Sequence, residues 1–302
     1  MFERVLVALD GSPCSEAILK PLVPIAKAFG SSLTLLHVVE EVVQVDGGEV
    51  AAAARRRLEE VGGLARDYLE GVASALRGEG LRASAEVAFG RPHQVILSHA
   101  REGGYSLLAM ATRGRGLPLG PVLGSTVSRV LPESPAPVLT VRPVRRRRLW
   151  GAPSRFTQVV VPLDGSDLAE TALRPAGEIA SRLHLPVSLV PVLPPSVTVA
   201  LGSGSATLWD AGAEYQRQLD VLASGYLAGV GRRLTEAGLQ VEWDVMGGSA
   251  VEAIIDWAGQ RGPSLIVMAT RGRSGLARWL GSVTEGVVRR SLLPVLVIPP
   301  KV

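Results

Sequence analysis

The sequence has little of several features that would indicate particular classes of protein. Its 302 residues include one cysteine, Cys14, which excludes an internal disulfide and a cysteine metal site. No apolar run approaches the roughly 18 residues that a membrane-spanning helix needs. The first residues lack the basic head and long apolar stretch of a secretory signal. These absences predict a soluble, cytoplasmic protein without a membrane partner.

Charge excess and aromatic residues are also scarce. Thirty-two Lys and Arg face 28 Asp and Glu, a formal net charge of +4, and the four arginines at 145–148 supply as much. Such a run in a linker is typical of solvated charge. Aromatic residues make up 4% of the chain, too few for a stacking platform for single strands. Nucleic acid is therefore not an expected partner.

The four histidines do not form a catalytic or metal-binding pattern. None has metal-ligand spacing that recurs elsewhere, and none pairs with an Asp-Gly-Ser segment in both parts of the chain. We therefore predict no metal site built from protein side chains and no Ser-His-Asp triad. The residues concerned are His37, His93, His99 and His184.

The chain contains one sequence pattern twice. Residues 5–12 (VLVALDGS) are echoed by residues 159–166 (VVVPLDGS), and residues 111–115 (ATRGR) by residues 269–273. Internal similarity of this kind indicates a duplicated unit. The composition between the copies, with prolines, glycine and four arginines, is typical of a linker. The predicted domains are 1–143 and 157–302, joined by an Arg-rich linker at 144–156.

Each copy alternates short apolar runs with longer helix-like segments. In the first copy the runs lie at 5–9, 33–39, 83–88, 106–111 and 137–141, and residues 49–77 are the clearest helix. Strands that alternate with helices indicate βαβ units and parallel strands. The predicted fold class is therefore α/β, with two tandem, doubly wound, five-stranded parallel-sheet (Rossmann-like) domains. Pro21 and Pro24 fall inside the first helix of the first copy, and Pro175 matches Pro21 in the second, so we predict a bend there.

Ligands of open α/β sheets bind beyond the carboxyl ends of strands, where strand order reverses. Asp10 and Asp164 follow the first strand of their copies, inside Asp-Gly-Ser segments. An aspartate there has two interpretations; residue type alone favours the first, and the position at a strand end gives the second equal weight. Its carboxylate either holds the turn before the helix, or it accepts hydrogen bonds from a ribose or a base.

A glycine-containing loop follows the fourth strand and leads into a helix at Gly124-Ser125 or Gly281-Ser282. Glycines let backbone N–H groups approach a ligand, and a helix start favours anions. The loop as a whole therefore predicts a phosphate site. Ser125 and Ser282 either add a hydroxyl donor to that site or are simple N-caps. Residue type favours capping for the serines alone, and Ser282 with Glu285 matches a capping box. Arginines 113, 115, 271 and 273 either neutralise phosphate charge or face solvent.

These motifs together resemble the universal stress protein family in its tandem form. The nucleotide-binding members have Gly, two residues, Gly, nine residues, and then Gly with Ser or Thr. In the first copy Ala111 replaces the first Gly, while Gly114, Gly124 and Ser125 keep the nine-residue gap. In the second copy Ala269 makes the same replacement, and eight residues separate Gly272 from Gly281.

The resemblance implies two adenine-nucleotide sites. The first consists of Ala8, Leu9, Asp10, Val38, Met110, Ala111, Gly114, Arg115, Gly124, Ser125 and Thr126. The second consists of Pro162, Leu163, Asp164, Val192, Met268, Ala269, Gly272, Gly281, Ser282 and Val283. Because losing one loop residue shifts the chain by up to about 3.5 Å, we expect tighter ATP binding in the first copy.

The resemblance also implies a role in stress response or signalling, with ATP as the ligand and Mg²⁺ or Mn²⁺ on its phosphates. A slow ATP-hydrolysing enzyme and a non-binding interaction scaffold are the alternatives. Family members pair through their fifth strands, so residues 137–141 and 294–299 are expected to meet as an intrachain pseudodimer. A homodimer of the whole chain is a further expectation.

Overall fold

A computed structural model of the chain describes residues 1–40, 48–114, 122–143, 155–192, 206–243, 249–270 and 281–300. Most of the predicted linker, residues 144–154, lies outside these ranges. So do the two places where the copies differ in length, around residues 194–204 and 272–280. The linker boundaries therefore stay predictions.

The first half of the chain alternates strands and helices as the apolar runs predict. Its elements are β1 (Arg4–Ala8), α1 (Pro13–Glu16), α2 (Leu19–Phe29), β2 (Ser32–Val39), α3 (Gly48–Gly78), β3 (Arg82–Phe89), α4 (Pro92–Glu102), β4 (Leu107–Ala111), α5 (Ser125–Val130) and β5 (Val138–Val141). Strand β4 is buried along its whole length, which is typical of a parallel strand covered on both faces.

The second half repeats this order. Its elements are β6 (Gln158–Leu163), α6 (Asp167–Glu170), α7 (Leu173–Leu183), β7 (Val187–Pro191), α8 (Ala206–Glu236), β8 (Val241–Trp243), α9 (Ala250–Gln260), β9 (Ser264–Ala269), α10 (Ser282–Arg290) and β10 (Val295–Ile298). The duplicated sequence therefore forms a duplicated fold.

All ten strands join in one sheet of order β3-β2-β1-β4-β5-β10-β9-β6-β7-β8. Within each half the strands are parallel, and β1 and β6 are the central strands. The halves meet where β10 pairs with β5 antiparallel, with Val295 opposite Thr140 and Val297 opposite Val138. The fold is thus two doubly wound, five-stranded units related by a pseudo-twofold axis.

Each face of the sheet has one apolar layer that runs through both halves. One layer packs α2, α3, α7 and α8 against the strands, through residues such as Leu22, Leu69 and Ile179. The other packs α4, α5, α9 and α10, through residues such as Ile96 and Val287. In each half, the helices that follow the first and second strands therefore lie on one face, and those that follow the third and fourth strands lie on the other. The strand order reverses beside β1 and β6, which defines a switch point in each half.

At the predicted bend in the first helix the helical hydrogen bonding is interrupted, while Ala17 and Ile18, like Thr171 and Ala172, keep right-handed helical backbone angles. Helix α1 ends with its C-cap at Ala17, and α6 ends with its C-cap at Thr171. Each cap lies four residues before a proline, Pro21 or Pro175. The proline has no N–H to donate to the carbonyl of that residue, and its ring clashes with that carbonyl, so the helical hydrogen bonding stops there and then resumes. The proline then lies in the first turn of the following helix. N–H groups there have no intrahelical acceptor, so the absence of one costs no hydrogen bond.

Candidate functional site

The switch point of the first half is the space beyond the carboxyl ends of β1 and β4. These strands pair directly, with Ala8 opposite Met110. Because parallel strands end at the same edge, Asp10 and the residues after Ala111 emerge side by side. Two motifs about a hundred residues apart in the sequence therefore meet at one edge of the sheet.

Asp10 holds the turn that starts α1. Its Oδ1 accepts hydrogen bonds from the Ser12 backbone N–H (2.9 Å) and the Ser12 hydroxyl (2.5 Å). Ser12 caps α1 by accepting from Ser15 N (3.2 Å), and the Asp10 N–H donates to Ser15 Oγ (3.2 Å). Gly11 takes a positive φ of 76°, which favours glycine. The turn-holding interpretation of Asp10 is therefore correct for Oδ1, which accepts both hydrogen bonds of the turn.

Gly114 lies against the other oxygen of the same carboxylate. A Cβ on Gly114 would lie 2.0 Å from Asp10 Oδ2 and 3.1 Å from its Cγ. No side chain fits there without moving the carboxylate. The glycine is thus required by contact with Asp10, in addition to the expected approach of a ligand to its backbone.

Two hydrogen bonds tie together the ends of the loop that starts at Gly114. The Arg113 Nε donates to Val122 O (2.8 Å), and Gly124 N donates to Thr112 O (2.9 Å). Arg113 is 3% exposed, so its interpretation as a solvent-facing residue is wrong. Burial lowers the pKa of its guanidinium, and the nearby charge of Arg142 lowers it further. Arg115, Arg271 and Arg273 lie outside the described residues.

The capping interpretation of the two serines is also wrong. The N-caps of α5 and α10 are Gly124 and Gly281, and neither helix has a side-chain cap. Ser125 and Ser282 are the first helical residues, and both are exposed. Glu285, the expected partner in a capping box, instead pairs with Arg289 (Oε1 to Nη1, 3.5 Å). Neither serine hydroxyl therefore caps its helix.

Val38 lies on β2 beyond the end of β1. Among the described residues, the ladder between these strands ends with a bond from Leu9 N to Leu36 O (2.9 Å). Because backbone groups alternate sides along a strand, the N–H and C=O of Val38 point the same way as those of Leu36, toward the site. In the second half the equivalent N–H, of Val192, donates to Leu163 O (2.7 Å). In the second half the N–H that corresponds to that of Val38 is therefore already bonded to the neighbouring strand.

The second switch point has the same framework with a more open aspartate. Asp164 Oδ1 accepts from Ser166 N (3.0 Å) and Ser166 Oγ (2.6 Å), which repeats the Asp10 turn. Asp164 is exposed, whereas Asp10 is half-buried. Thr284 Oγ1 donates to Ala269 O (3.0 Å) and joins the start of α10 to β9.

The remaining predicted residues of the second site fall into three groups. Pro162, Leu163 and Met268 lie in strands β6 and β9, and Val283 lies in the first turn of α10. Gly272 lies outside the described residues. In the first site, Leu9 follows β1 and Thr126 lies in the first turn of α5.

Sequence reasoning missed a tyrosine that supports each aspartate turn. Tyr68 on α3 donates to Glu16 Oε1 on α1 (3.0 Å), and Tyr226 on α8 donates to Glu170 Oε1 on α6 (2.9 Å). Burial raises the pKa of both phenols, and the adjacent carboxylates raise it further. The signal was present, because both copies retain the Tyr and the Glu. Each tyrosine ties the long helix of its half to the helix that Asp10 or Asp164 precedes.

Neither a metal-binding cluster nor a membrane-spanning helix occurs in the ranges that the structure describes. There, no group of three or more His, Cys, Asp or Glu is arranged to hold a metal ion. His99, for example, contacts Glu86 Oε1 through Nε2 (2.9 Å) and Val95 O through Nδ1 (2.9 Å). No helix in this part of the chain combines the length and apolar character needed to cross a membrane.

A sheet of this order, with an Asp-Gly-Ser turn at each switch point, defines a tandem Rossmann-like α/β protein. The model of the universal stress protein family matches residues 1–142 and 155–299. The chain belongs to the universal stress protein family, with two such domains in tandem.

Individual relatives agree with this assignment. The chain is 32% identical over 148 residues to universal stress protein YxiE of Bacillus subtilis, covering 47% of this chain and all of that protein. It is 25% identical over 311 residues to a universal stress protein of Mycolicibacterium smegmatis, covering 98% and 97% of the two chains. The crystal structure of a universal stress protein from Archaeoglobus fulgidus superposes with a TM-score of 0.68 at 21% identity, over 99% of each chain.

Proposed function

We propose that the switch point of the first half binds ATP, in a cytoplasmic protein of stress response or signalling. In this role the bound nucleotide sets conformation or partner choice. The observation that carries the proposal is the contact between Asp10 and Gly114. It unites the two motifs that, by resemblance to the family, hold the nucleoside and the phosphates.

Three groups around that contact match the parts of a nucleotide. The Asp10 carboxylate is an acceptor suited to ribose hydroxyls. The backbone of Val38 presents a donor and an acceptor on the site-facing side of β2, which suits the edge of adenine. The start of α5, next to a loop whose ends are held by Arg113 and Gly124, suits the phosphates because a helix N-terminus and a nearby buried cation both favour anions. Any Mg²⁺ or Mn²⁺ would accompany the phosphates.

The second switch point is proposed as the weaker site. Its aspartate is exposed, so a hydrogen bond to it competes with water. Its valine N–H is already bonded to Leu163 O, so adenine would have to replace that bond. The sequence adds the shorter loop between Gly272 and Gly281.

ATP titration into the wild type and into Gly124→Trp and Gly281→Trp tests the proposal. Gly124 is buried, and its N–H holds the loop end, so an indole there should abolish the tighter binding. Gly281 has room, since a Cβ would lie 3.9 Å from Thr284 Oγ1, and the tighter binding should persist. Loss in the Gly281 variant alone would reverse the assignment of the two sites.

Two further measurements address the alternatives. The absence of both titratable ATP binding and co-purified nucleotide in the wild type would leave the interaction scaffold as the better function. A phosphate-release assay with Mg²⁺ should give turnover below about 1 s⁻¹, the low end of typical enzymes. Faster release would favour the ATP-hydrolysing enzyme.

A further inference from the structure

The two halves differ at a groove on the outer face of α7, away from either switch point. This groove has a volume of about 440 Å³ and lies between α7 and the end of α8, with Leu173, Gly177, Leu234 and Leu239 among its lining residues. That volume is within the range of small-molecule sites, which is roughly 300–1,000 Å³. None of these lining residues belongs to the motifs discussed above.

The same place in the first half is filled. Val23, which occupies the position of Gly177, is 4% exposed and belongs to the core. Across it, Lys27 Nζ pairs with Glu79 Oε2 at 3.0 Å. In the second half Ser181 and Ala237 stand in place of that pair. The second half therefore has a groove where it has the smaller residues Gly177, Ser181 and Ala237, and the first half fills the same space with a valine and an ion pair.

The rim of the groove has more positive than negative charge. Arg174 Nε pairs with Glu178 Oε1 at 3.1 Å, which leaves the Arg182 guanidinium without a carboxylate among the groove residues. Arg182 stacks over the Phe29 ring at 4.7 Å and donates from Nη1 to Ala28 O at 3.1 Å. A guanidinium has several donors in one plane, and this bond uses one of them.

We infer that this groove binds a small molecule with an apolar body and one anionic group. The body lies on Gly177, Leu234 and Leu239, and the anion accepts hydrogen bonds from Arg182. Because Arg182 also contacts Ala28 and Phe29 of the first half, such a ligand would bind at the junction of α2 and α7. The inference is independent of nucleotide binding at the switch points.

Two fluorescent probes of the same shape test the inference: anilinonaphthalene sulfonate and its uncharged counterpart, phenylnaphthylamine. The wild type should bind the sulfonate more tightly than the amine. Gly177→Val, which restores the residue of the first half, should weaken the sulfonate at least fivefold. The double variant Ser181→Lys with Ala237→Glu should do the same from the rim, without altering the floor of the groove.

Two more variants make the test specific. Arg182→Gln should remove the preference for the sulfonate and leave the amine unchanged. Val221→Ser with Leu222→Ser removes exposed apolar side chains of α8, which are 72% and 70% exposed, and should leave both probes unchanged. Sulfonate binding that survives both closing changes, or that is lost in the α8 variant, would overturn the inference. Equal binding of the two probes by the wild type would also overturn it.

Discussion

The two switch points have the same arrangement of strands and aspartate turns, and they differ in the burial and hydrogen bonding of their polar groups. In the first, the Asp10 carboxylate is half-buried against Gly114, and the β1–β2 ladder stops before Val38. In the second, Asp164 is exposed and the N–H of Val192 belongs to the ladder with β6. The comparison shows that a duplicated backbone does not present the same polar groups twice, because a single hydrogen bond at a strand end changes which of them are already bonded within the protein.

The largest effect is expected from Gly114→Val. The new Cβ would have to displace the Asp10 carboxylate, from which it would lie 2.0 Å. We expect ATP affinity to fall at least about 30-fold, which corresponds to about 2 kcal/mol. Calorimetric titration measures this effect, and Gly281→Ala is the control that should change affinity less than twofold. Unchanged binding in Gly114→Val would separate the nucleotide from this contact.

Asp10→Ala should weaken ATP about tenfold, because a hydrogen bond to a charged acceptor contributes roughly 1.5–3 kcal/mol and part is regained from water. Asp164→Ala is the matched change, and it should leave the tighter binding event unaltered. Both variants lose the same Ser hydrogen bonds, so circular dichroism melting can verify that their stabilities fall alike. Equal loss of ATP affinity in the two variants would contradict the proposed difference between the sites.

Tyr68→Phe and Tyr226→Phe compare the supports of the two aspartate turns. Tyr68→Phe should lower the free energy of unfolding by about 1–2 kcal/mol, as expected for a half-buried bond to a carboxylate. Tyr226→Phe should cost less, because Arg233 Nη2 also bonds to Glu170, at 2.6 Å from Oε2. Urea unfolding curves measure both values. A larger cost at Tyr226 would show that the arginine does not share the carboxylate.

The smallest effect concerns alkaline pH. Burial raises the pKa of Tyr68 and Tyr226, so the folded chain holds both phenolic protons more tightly than the unfolded chain does. Their contribution is complete below the unfolded tyrosine pKa of about 10 and is lost as the pH rises further. The double Tyr→Phe variant should therefore lose less stability than the wild type between about pH 9 and pH 11. Parallel pH slopes for the two proteins would contradict this linkage.

The fold was largely predictable because it rests on repetition and on apolar runs. The expected strand at 33–39 differs from β2 (Ser32–Val39) by one residue, and the expected helix at 49–77 differs from α3 (Gly48–Gly78) by one at each end. The antiparallel pairing of β5 with β10 joins the two fifth strands as the resemblance implies. Such features are encoded locally or by the family, and little tertiary detail is needed.

The details of the site were less predictable because they depend on contacts between distant segments. Ser125 fits a cap by residue type, yet the chain enters the helix one residue earlier, at Gly124. Arg113 lies in a segment whose composition is typical of a surface loop, yet its Nε donates a hydrogen bond to Val122 O at the other end of that loop. The contact of Gly114 with Asp10 joins segments that only the sheet order brings together. Sequence spacing identifies the participants, but it does not reveal which partner each one has.

The pairing of β5 with β10 within one chain has an evolutionary consequence. In an assembly of two identical subunits, every replacement appears at both symmetry-related positions, so neither copy can change alone. A covalently fused pair is released from that constraint while the shared sheet keeps its geometry. Val23 in the first half and Gly177 at the matching position of the second are a difference that two identical, symmetry-related subunits could not have, since each half of the fused chain has its own residue.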